Sequence, residues 1–413
     1  MRTRRDFLLQ TAGVGIVTAA SGRAALAKQA NSSEHDAPAK KRKPKHQDAV
    51  LNLAIVGTGK ISTRYLKQAG VGKQAHFVAT CAKHLDSAKE RALEYGVKSW
   101  FDDYEKMYDT VSPDGVVVVT PNSLHAAPTI AALERGIPVL CEKPMATTWE
   151  DCLAMVAASQ RTGTLFLNLP YDTSPAFLAA LAHLNEATLG KFTGAEAQLL
   201  WDGAPWDNWY YQRSMSGGAI ESLVYPVSRL INLLGPAKRV TGMANTLIPK
   251  RIVDGGNTVV SDIDDNITLT VEWATGQQAI FRTLWATPYR NDSVIYGRHG
   301  ALWFSDAEVV VHSPNRPIPG IEKTTWRGYS DCYPIPFTPM QDISQEGLVD
   351  HFIDCIKGVR KPTCGAQQQL HVHEILFKGV EAAHTGRLKD LETTFSPWHS
   401  IDQAFYDTRS QSV

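Results

Sequence analysis

Leu51-Asn52-Leu53-Ala54-Ile55-Val56-Gly57-Thr58-Gly59-Lys60-Ile61-Ser62 is the stretch that decides the fold. Six residues of mostly apolar strand run into Gly-Thr-Gly, and an amphipathic helix over Lys60–Gln68 follows. A glycine directly after a strand permits a tight turn, and a second lets the backbone approach a pyrophosphate at the helix N-terminus. Ser62 stands where a third glycine is usual. Gly57, Gly59, Lys60 and Ile61 are therefore candidate cofactor-binding residues, and a dinucleotide-binding unit is predicted to begin near Val50.

The β-α-β order continues outward. His76–Cys81 reads as a second strand and Ser87–Tyr95 as a helix, while Asp102–Asp109 is short and helical. Gly115–Thr120 holds four consecutive valines, apolar on both faces as a buried parallel strand requires. Ala127–Arg135 is helical, Pro138–Cys141 a strand, Trp149–Arg161 a helix and Leu165–Leu169 a further strand. This alternation predicts an α/β unit, a doubly wound (Rossmann) parallel sheet over residues 50–170. After about Gly190 the pattern changes. Ala195–Trp201, Val240–Ile248, Ile263–Trp273, Gln277–Trp285, Asp292–Tyr296 and Ala307–His312 alternate apolar and polar residues. They predict an open, mainly antiparallel sheet in an α+β domain over residues 171–395. Helices Phe177–Glu186, Tyr225–Leu234, Leu348–Lys357 and Leu370–Thr385 would cover one face, leaving the other to solvent or a second subunit. Residues 396–413 read as a tail.

Composition limits the function classes. The 413 residues are 43% hydrophobic and 20% charged, as in a globular protein, and Lys+Arg and Asp+Glu both total 42. This balance gives no reason to expect nucleic acid or an anionic membrane surface as partner. No apolar run reaches the length of a spanning helix, about 20 residues. Cys81, Cys141 and Cys152 fall on expected strands or a helix, and no cysteine spacing resembles a zinc site, so no metal is expected. Free thiols are predicted, with Cys355 and Cys364 the pair worth testing for a bridge.

The N-terminus reads differently. Met1–Ala27 has a basic head with Arg4-Arg5, a modestly apolar Thr11–Ala20 and Ala25-Leu26-Ala27, the layout of an export signal of twin-arginine type. Residues 28–49 are polar and basic, too poor in apolar residues to fold alone. They form either a spacer or an arm lying on another subunit.

The chemistry concentrates after the later strands. Cys141-Glu142-Lys143-Pro144-Met145 follows the Ile137–Cys141 run, which puts a Glu-Lys pair at the carboxyl end of a buried strand, the ligand side of such sheets. Lys143 is read as touching the reacting hydroxyl or carbonyl of a substrate that lies on a nicotinamide ring. Pro121, Asn122 and His125 follow the valine-rich strand beside the same crevice. Proline there can pack on the nicotinamide, and Asn and His can bond ribose or cap the next helix, with Ser123 the expected cap. At the end of the second strand, where an acid would read an adenosine ribose, stand Ala82, Lys83 and His84. A small residue followed by positive charge leaves room for a 2′-phosphate, which favours NADP over NAD. Glu221 and Tyr225 lie four apart on a helix after Gly217-Gly218 and so share a face. Trp201, Trp206, Trp209, Tyr210 and Tyr211, with Asp202, Asp207 and Arg213, make a loop that suits a sugar ring or a subunit interface equally.

The blocks Gly57–Lys60, Thr120–Ala126 and Cys141–Thr147, in an α/β half followed by an antiparallel half, resemble the Gfo/Idh/MocA family of glucose-fructose oxidoreductases and inositol dehydrogenases. The resemblance covers Leu51 to about Phe395. It implies a pyranose or polyol substrate, hydride transfer at NADP, Glu142 and Lys143 at the cofactor, and Lys143 as a catalytic residue. It also implies an exported, periplasmic protein, and a homo-oligomer through the outer sheet face is expected. Tyr225 matches the family's acid/base and Glu221 its Asp, one methylene longer here, while Leu223 and Pro226 replace small residues. Tyr171 and Asp172 fall where relatives contact substrate, and Trp209 and Arg213 are further substrate candidates. Sequence alone leaves two rivals to a sugar oxidoreductase. One is a glycosidase working by transient oxidation on bound nicotinamide, and the other a non-catalytic sugar-binding or assembly protein.

In such an enzyme the alcohol must lose a proton as hydride leaves, so an acid/base within hydrogen-bond reach is required. Tyr and Lys titrate near 10 and are poor bases at neutral pH. A cationic Lys143 beside Tyr225, with an oxidised nicotinamide nearby, is expected to lower both values.

Overall fold

The computed structural model describes residues 48–71, 74–170, 174–205, 208–337 and 348–406. The expected export signal, nearly all of the basic segment after it, Tyr171, Asp172, Trp206 and Asp207 lie outside the described residues.

Strands β1 (Leu51–Val56), β2 (Ala75–Cys81), β3 (Ser99–Phe101), β4 (Gly115–Val118), β5 (Val139–Cys141) and β6 (Phe166–Asn168) form one sheet. Their order is β3-β2-β1-β4-β5-β6, and every neighbouring pair is parallel. The strand order reverses between β1 and β4, which opens a crevice at their carboxyl ends. Both strands are buried on both faces apart from Asn52, as their unbroken apolar runs require. The Ser99–Phe101 edge strand was not expected. It is three residues long and half-buried throughout, too short to show a period.

The second sheet has ten strands in the order β16-β17-β15-β14-β13-β7-β12-β11-β8-β18. They are β7 (Phe192–Trp201), β8 (Arg239–Asn245), β11 (Asn266–Glu272), β12 (Gln278–Trp285), β13 (Arg290–Gly297), β14 (Gly300–Ser305), β15 (Val309–His312), β16 (Thr324–Trp326), β17 (Tyr329–Pro334) and β18 (Lys389–Asp390), with β9 (Lys250–Val253) and β10 (Asn257–Val260) a separate hairpin. It is mainly antiparallel, but β7 runs parallel to β12, so the sheet is mixed. Along β12, Ala279, Phe281 and Trp285 are buried while Gln278, Ile280 and Arg282 are exposed, the alternation of a sheet covered on one side. The Ile220–Leu234 and Ala366–Thr385 helices cover the buried side, each with an extensive run of buried residues.

The first of these helices begins at Ile220, five residues before the expected start at Tyr225. Placed from Tyr225, Pro226 would sit in a first turn, where proline is favoured; it instead lies inside the helix. All six cysteines are free thiols, and Cys355 and Cys364 are not bridged. Among the described residues no helix is long and apolar enough to cross a membrane, and no cluster of His, Cys, Asp and Glu could hold a metal.

Candidate active site

The turn after β1 is built for close approach. Gly57 has φ +104°, and a Cβ there would lie 2.5 Å from the carbonyl oxygen of Val119. Gly59 differs, because a Cβ on it would meet nothing within 4 Å. Packing explains the first glycine but not the second, whose exposed backbone fits a phosphate group against the loop. Ser62, buried in the place of a third glycine, closes the turn by donating from Oγ to the Gly59 carbonyl at 2.7 Å. Arg91 Nε and Nη2 donate to the Thr58 carbonyl at 3.3 and 3.2 Å, a brace the sequence reading passed over. Lys60 is exposed and Ile61 half-buried. Ala82 follows β2 half-buried, and Lys83 and His84 are exposed. Asp103 and Asp102 approach from the end of β3; after burial, they contribute to raising the Cys81 thiol to about 12.

The loop after β5 is held from several sides. Asn168 Nδ2 donates to the carbonyls of Cys141 (3.2 Å) and Glu142 (2.9 Å). Glu142 accepts from the Tyr65 hydroxyl at 2.7 Å and from the Lys143 amide at 3.0 Å, so its carboxylate folds back to fix the backbone beside Lys143. The Met145 amide donates to His373 Nε2 at 2.7 Å. His125 requires a correction as a cofactor-binding candidate. It is fully buried, and its two ring nitrogens face the carbonyls of Pro144 (2.8 Å) and Thr120 (2.9 Å), so it ties the two crevice loops together. Asn122 is likewise committed, donating from Nδ2 to the Ser216 carbonyl at 2.9 Å. Ser123 contacts Met215 Sδ at 3.7 Å rather than capping a helix. Pro121, half-buried, precedes the short Asn122–Leu124 turn.

Lys143, Glu221 and Tyr225 come together. The Lys143 ammonium forms an ion pair with Glu221 Oε1, and its Nζ lies 5.1 Å from the centroid of the Tyr225 ring. Two left-handed glycines, Gly217 (φ +80°) and Gly218 (φ +81°), turn the chain so that the helix opens with Glu221 against Lys143. The expected lowering of both basic groups is not what the protein alone produces. Burial works against a charged Lys143, but Glu221, then Tyr225, Tyr210 and Glu142 outweigh it and hold the amine well above the ordinary lysine range. Burial pushes the Tyr225 phenol up to about 12, with Lys143 opposing. Burial is the main cause of the rise at Tyr225, and the Glu221 carboxylate the main cause of the rise at Lys143.

The aromatic loop divides. Tyr210 joins the cluster: burial and then Glu221 push its phenol upward while Lys143 opposes. It stacks on Trp209 at 4.1 Å between centroids. Arg213, a substrate candidate, stands apart from this cluster. Its Nη1 pairs with Asp264 at 3.0 Å and its amide donates to Asp262 at 2.6 Å, so the guanidinium is engaged by an acid of the second sheet. Sequence reasoning did not find Tyr65, Asn168, Ser222 or His373. The only available signal was polarity inside otherwise apolar elements.

Residues 51–168 match the model of an oxidoreductase family with an NAD-binding Rossmann fold, and residues 177–303 match the GFO/IDH/MocA C-terminal domain. Levoglucosan dehydrogenase of Pseudarthrobacter phenanthrenivorans is 27% identical over 235 residues, which cover 52% of this chain and 60% of that protein. The scyllo-inositol 2-dehydrogenase (NADP(+)) of Bacillus subtilis is 26% identical over 225 residues, covering 52% of this chain and 67% of the relative. The levoglucosan dehydrogenase structure with NADH and L-sorbose shares the fold, with TM-score 0.71 and 19% identity over 84% of this chain and 100% of that one.

Proposed function

The chain belongs to the GFO/IDH/MocA oxidoreductase family, and from that premise we propose that it oxidises or reduces a CH–OH group of a sugar or polyol with a bound nicotinamide dinucleotide. The observation that carries the proposal is the Lys143–Glu221–Tyr225 cluster at the carboxyl edge of the parallel sheet. When bound, the nicotinamide supplies or accepts the hydride. The Gly57–Gly59 turn holds the pyrophosphate. Lys143, kept charged by Glu221, binds the substrate oxygen and stabilises negative charge on it. Tyr225, protonated at neutral pH, gives its phenolic proton to that oxygen in the reductive direction and is then reprotonated from solvent. In oxidation it must first lose that proton to solvent, and the phenolate takes the proton of the alcohol. The Trp209–Tyr210 stack offers an apolar ring face to a sugar. Names of relatives that act on levoglucosan and scyllo-inositol support the substrate class.

The cofactor is NADP in this reading, supported by exposed Lys83 and His84 with no acid among residues 82–84. The protein acts outside the cytoplasm, after export directed by the Arg4-Arg5 signal. It is a homo-oligomer through the outer face of the second sheet, where Trp303 contacts Trp326 and Tyr329 at 5.0 and 5.5 Å between ring centroids. The test is mass spectrometry of the nucleotide released on denaturation, followed by assay of sugars and polyols against that nucleotide. Release of NADP and turnover lost on Lys143→Ala are expected. Retained turnover in Lys143→Ala would overturn the mechanism, and NAD alone would overturn the cofactor assignment.

A further inference from the structure

Glu221 has a second oxygen, and what holds it reaches into two neighbouring inner strands of the larger sheet. Ser222, 2% exposed, donates from Oγ to Glu221 Oε2 at 3.0 Å. The indole N–H groups of Trp201 and Trp285 each donate to the same Oγ at 3.0 Å. These tryptophans end the parallel pair β7 and β12 directly opposite one another. Their rings meet edge to face at 5.4 Å and 72°.

The directions of these bonds are forced. An indole nitrogen only donates, and a hydroxyl has one hydrogen and two lone pairs. With both lone pairs taken by indoles, the Ser222 hydrogen must go to Glu221 Oε2. Glu221 Oε1 faces the Lys143 ammonium, which also only donates. Neither oxygen therefore has a neighbour among these groups that could accept a proton from it.

We propose that Ser222, oriented by Trp201 and Trp285, is a positioning residue that locks Glu221 as a carboxylate. Glu221 is then the fixed counter-ion of Lys143 and takes no part in proton transfer. The longer side chain in the place of the family's Asp is accommodated by this second anchor. Tyr225 is left as the group that exchanges a proton with substrate, a clause that rests on the proposed function; the hydrogen-bond assignment does not.

The test uses the full chain with labelled Glu and Trp and compares wild type, Ser222→Ala and Ser222→Thr. At neutral pH the Glu221 carboxyl ¹³C resonance should move in Ser222→Ala, which loses the hydrogen bond to Oε2, and return in Ser222→Thr. The Trp201 and Trp285 indole resonances should move together in Ser222→Ala and return in Ser222→Thr. In turnover, Ser222→Ala should lower kcat about tenfold and Ser222→Thr should restore it. A Glu221 carboxyl resonance unchanged in Ser222→Ala, or indole resonances that stay put, would overturn the proposal. Shifts of the carboxyl and indole resonances without any sugar turnover would uphold the anchor and reject the assigned function.

Discussion

Lys143 and Glu221 meet as an ion pair across 78 residues of sequence, one from the parallel sheet and the other from the first turn of a helix behind the second sheet. The pair is mostly buried, so removing either partner strands a charge. Glu221→Ala should cost about 3–5 kcal/mol of stability. Lys143→Met removes the charge that stabilises the substrate oxygen, and turnover should fall about 10²–10⁴-fold while nucleotide is retained. Denaturant melts and steady-state kinetics separate the two effects. Equal losses of stability and turnover in both variants would make the pair merely structural.

Gly57 and Gly59 should respond oppositely to the same methyl group. Gly57→Ala places a Cβ 2.5 Å from the Val119 carbonyl at a left-handed φ, so the turn must open and stability should fall by about 1–3 kcal/mol. Gly59→Ala meets no protein atom within 4 Å, so its melting temperature should match wild type. Its nucleotide affinity should nonetheless drop about tenfold or more, because the methyl occupies the phosphate's approach. Calorimetric titration of both variants with NADP and NAD decides it. Undiminished binding by Gly59→Ala would remove the pyrophosphate from this loop.

Much of this was legible in the residues and some was not, for physical reasons. The Val116–Val119 run and the Gly57 turn each obey a local rule, so the parallel sheet and its crevice could be read directly. Glu221 and Tyr225 share a face by helical spacing alone. The Lys143 environment could not be read this way, because Tyr65, Asn168 and His373 converge on it from elements far apart in sequence. His125 and Asn122 looked like ligand contacts because polar residues at a strand's carboxyl end usually are. Burial instead commits both to backbone carbonyls. The Arg213–Asp264 pair could not be read either, since the buried Asp264 lies 51 residues away.

Alkaline pH should loosen the site in a stated window. The Tyr225 phenol is raised to about 12 by burial, with Lys143 opposing, and Lys143 itself is raised. A raised folded pKa means the native state keeps a proton that the unfolded chain releases near pH 10. Their contribution is therefore complete below about pH 10 and is lost as pH climbs toward 12. Denaturant melts from pH 8 upward should show the decline, less steep in Tyr225→Phe. Carbonyl reduction should stay level through neutral pH, since the phenol remains loaded. A loss of reduction between pH 7 and 8 in the wild type would contradict Tyr225 as the acid.

Acid should act through His373. Burial lowers its pKa to about 4, aided by His125 and opposed by the hydrogen bond to the Gln369 carbonyl. His373 Nδ1 donates to that carbonyl at 2.7 Å, which leaves Nε2 to accept from the Met145 amide. Protonation of Nε2 would set a donor against a donor and release the loop that carries Lys143. The unfolded chain takes up this proton near pH 6.5, so the stabilisation is complete above that value and is lost as pH falls toward 4. His351 and His371, also lowered to about 4 by burial, add to the same slope. His373→Gln keeps an acceptor but no titratable nitrogen, and its stability should fall less steeply between pH 6.5 and 4 than that of wild type. His373→Ala leaves the Met145 amide without its acceptor and should cost about 1–3 kcal/mol at every pH, with turnover reduced as the Lys143 loop slackens. Thermal melts of the three proteins across that range decide it. Wild-type and His373→Gln curves that run parallel would show that this imidazole does not carry the acid sensitivity.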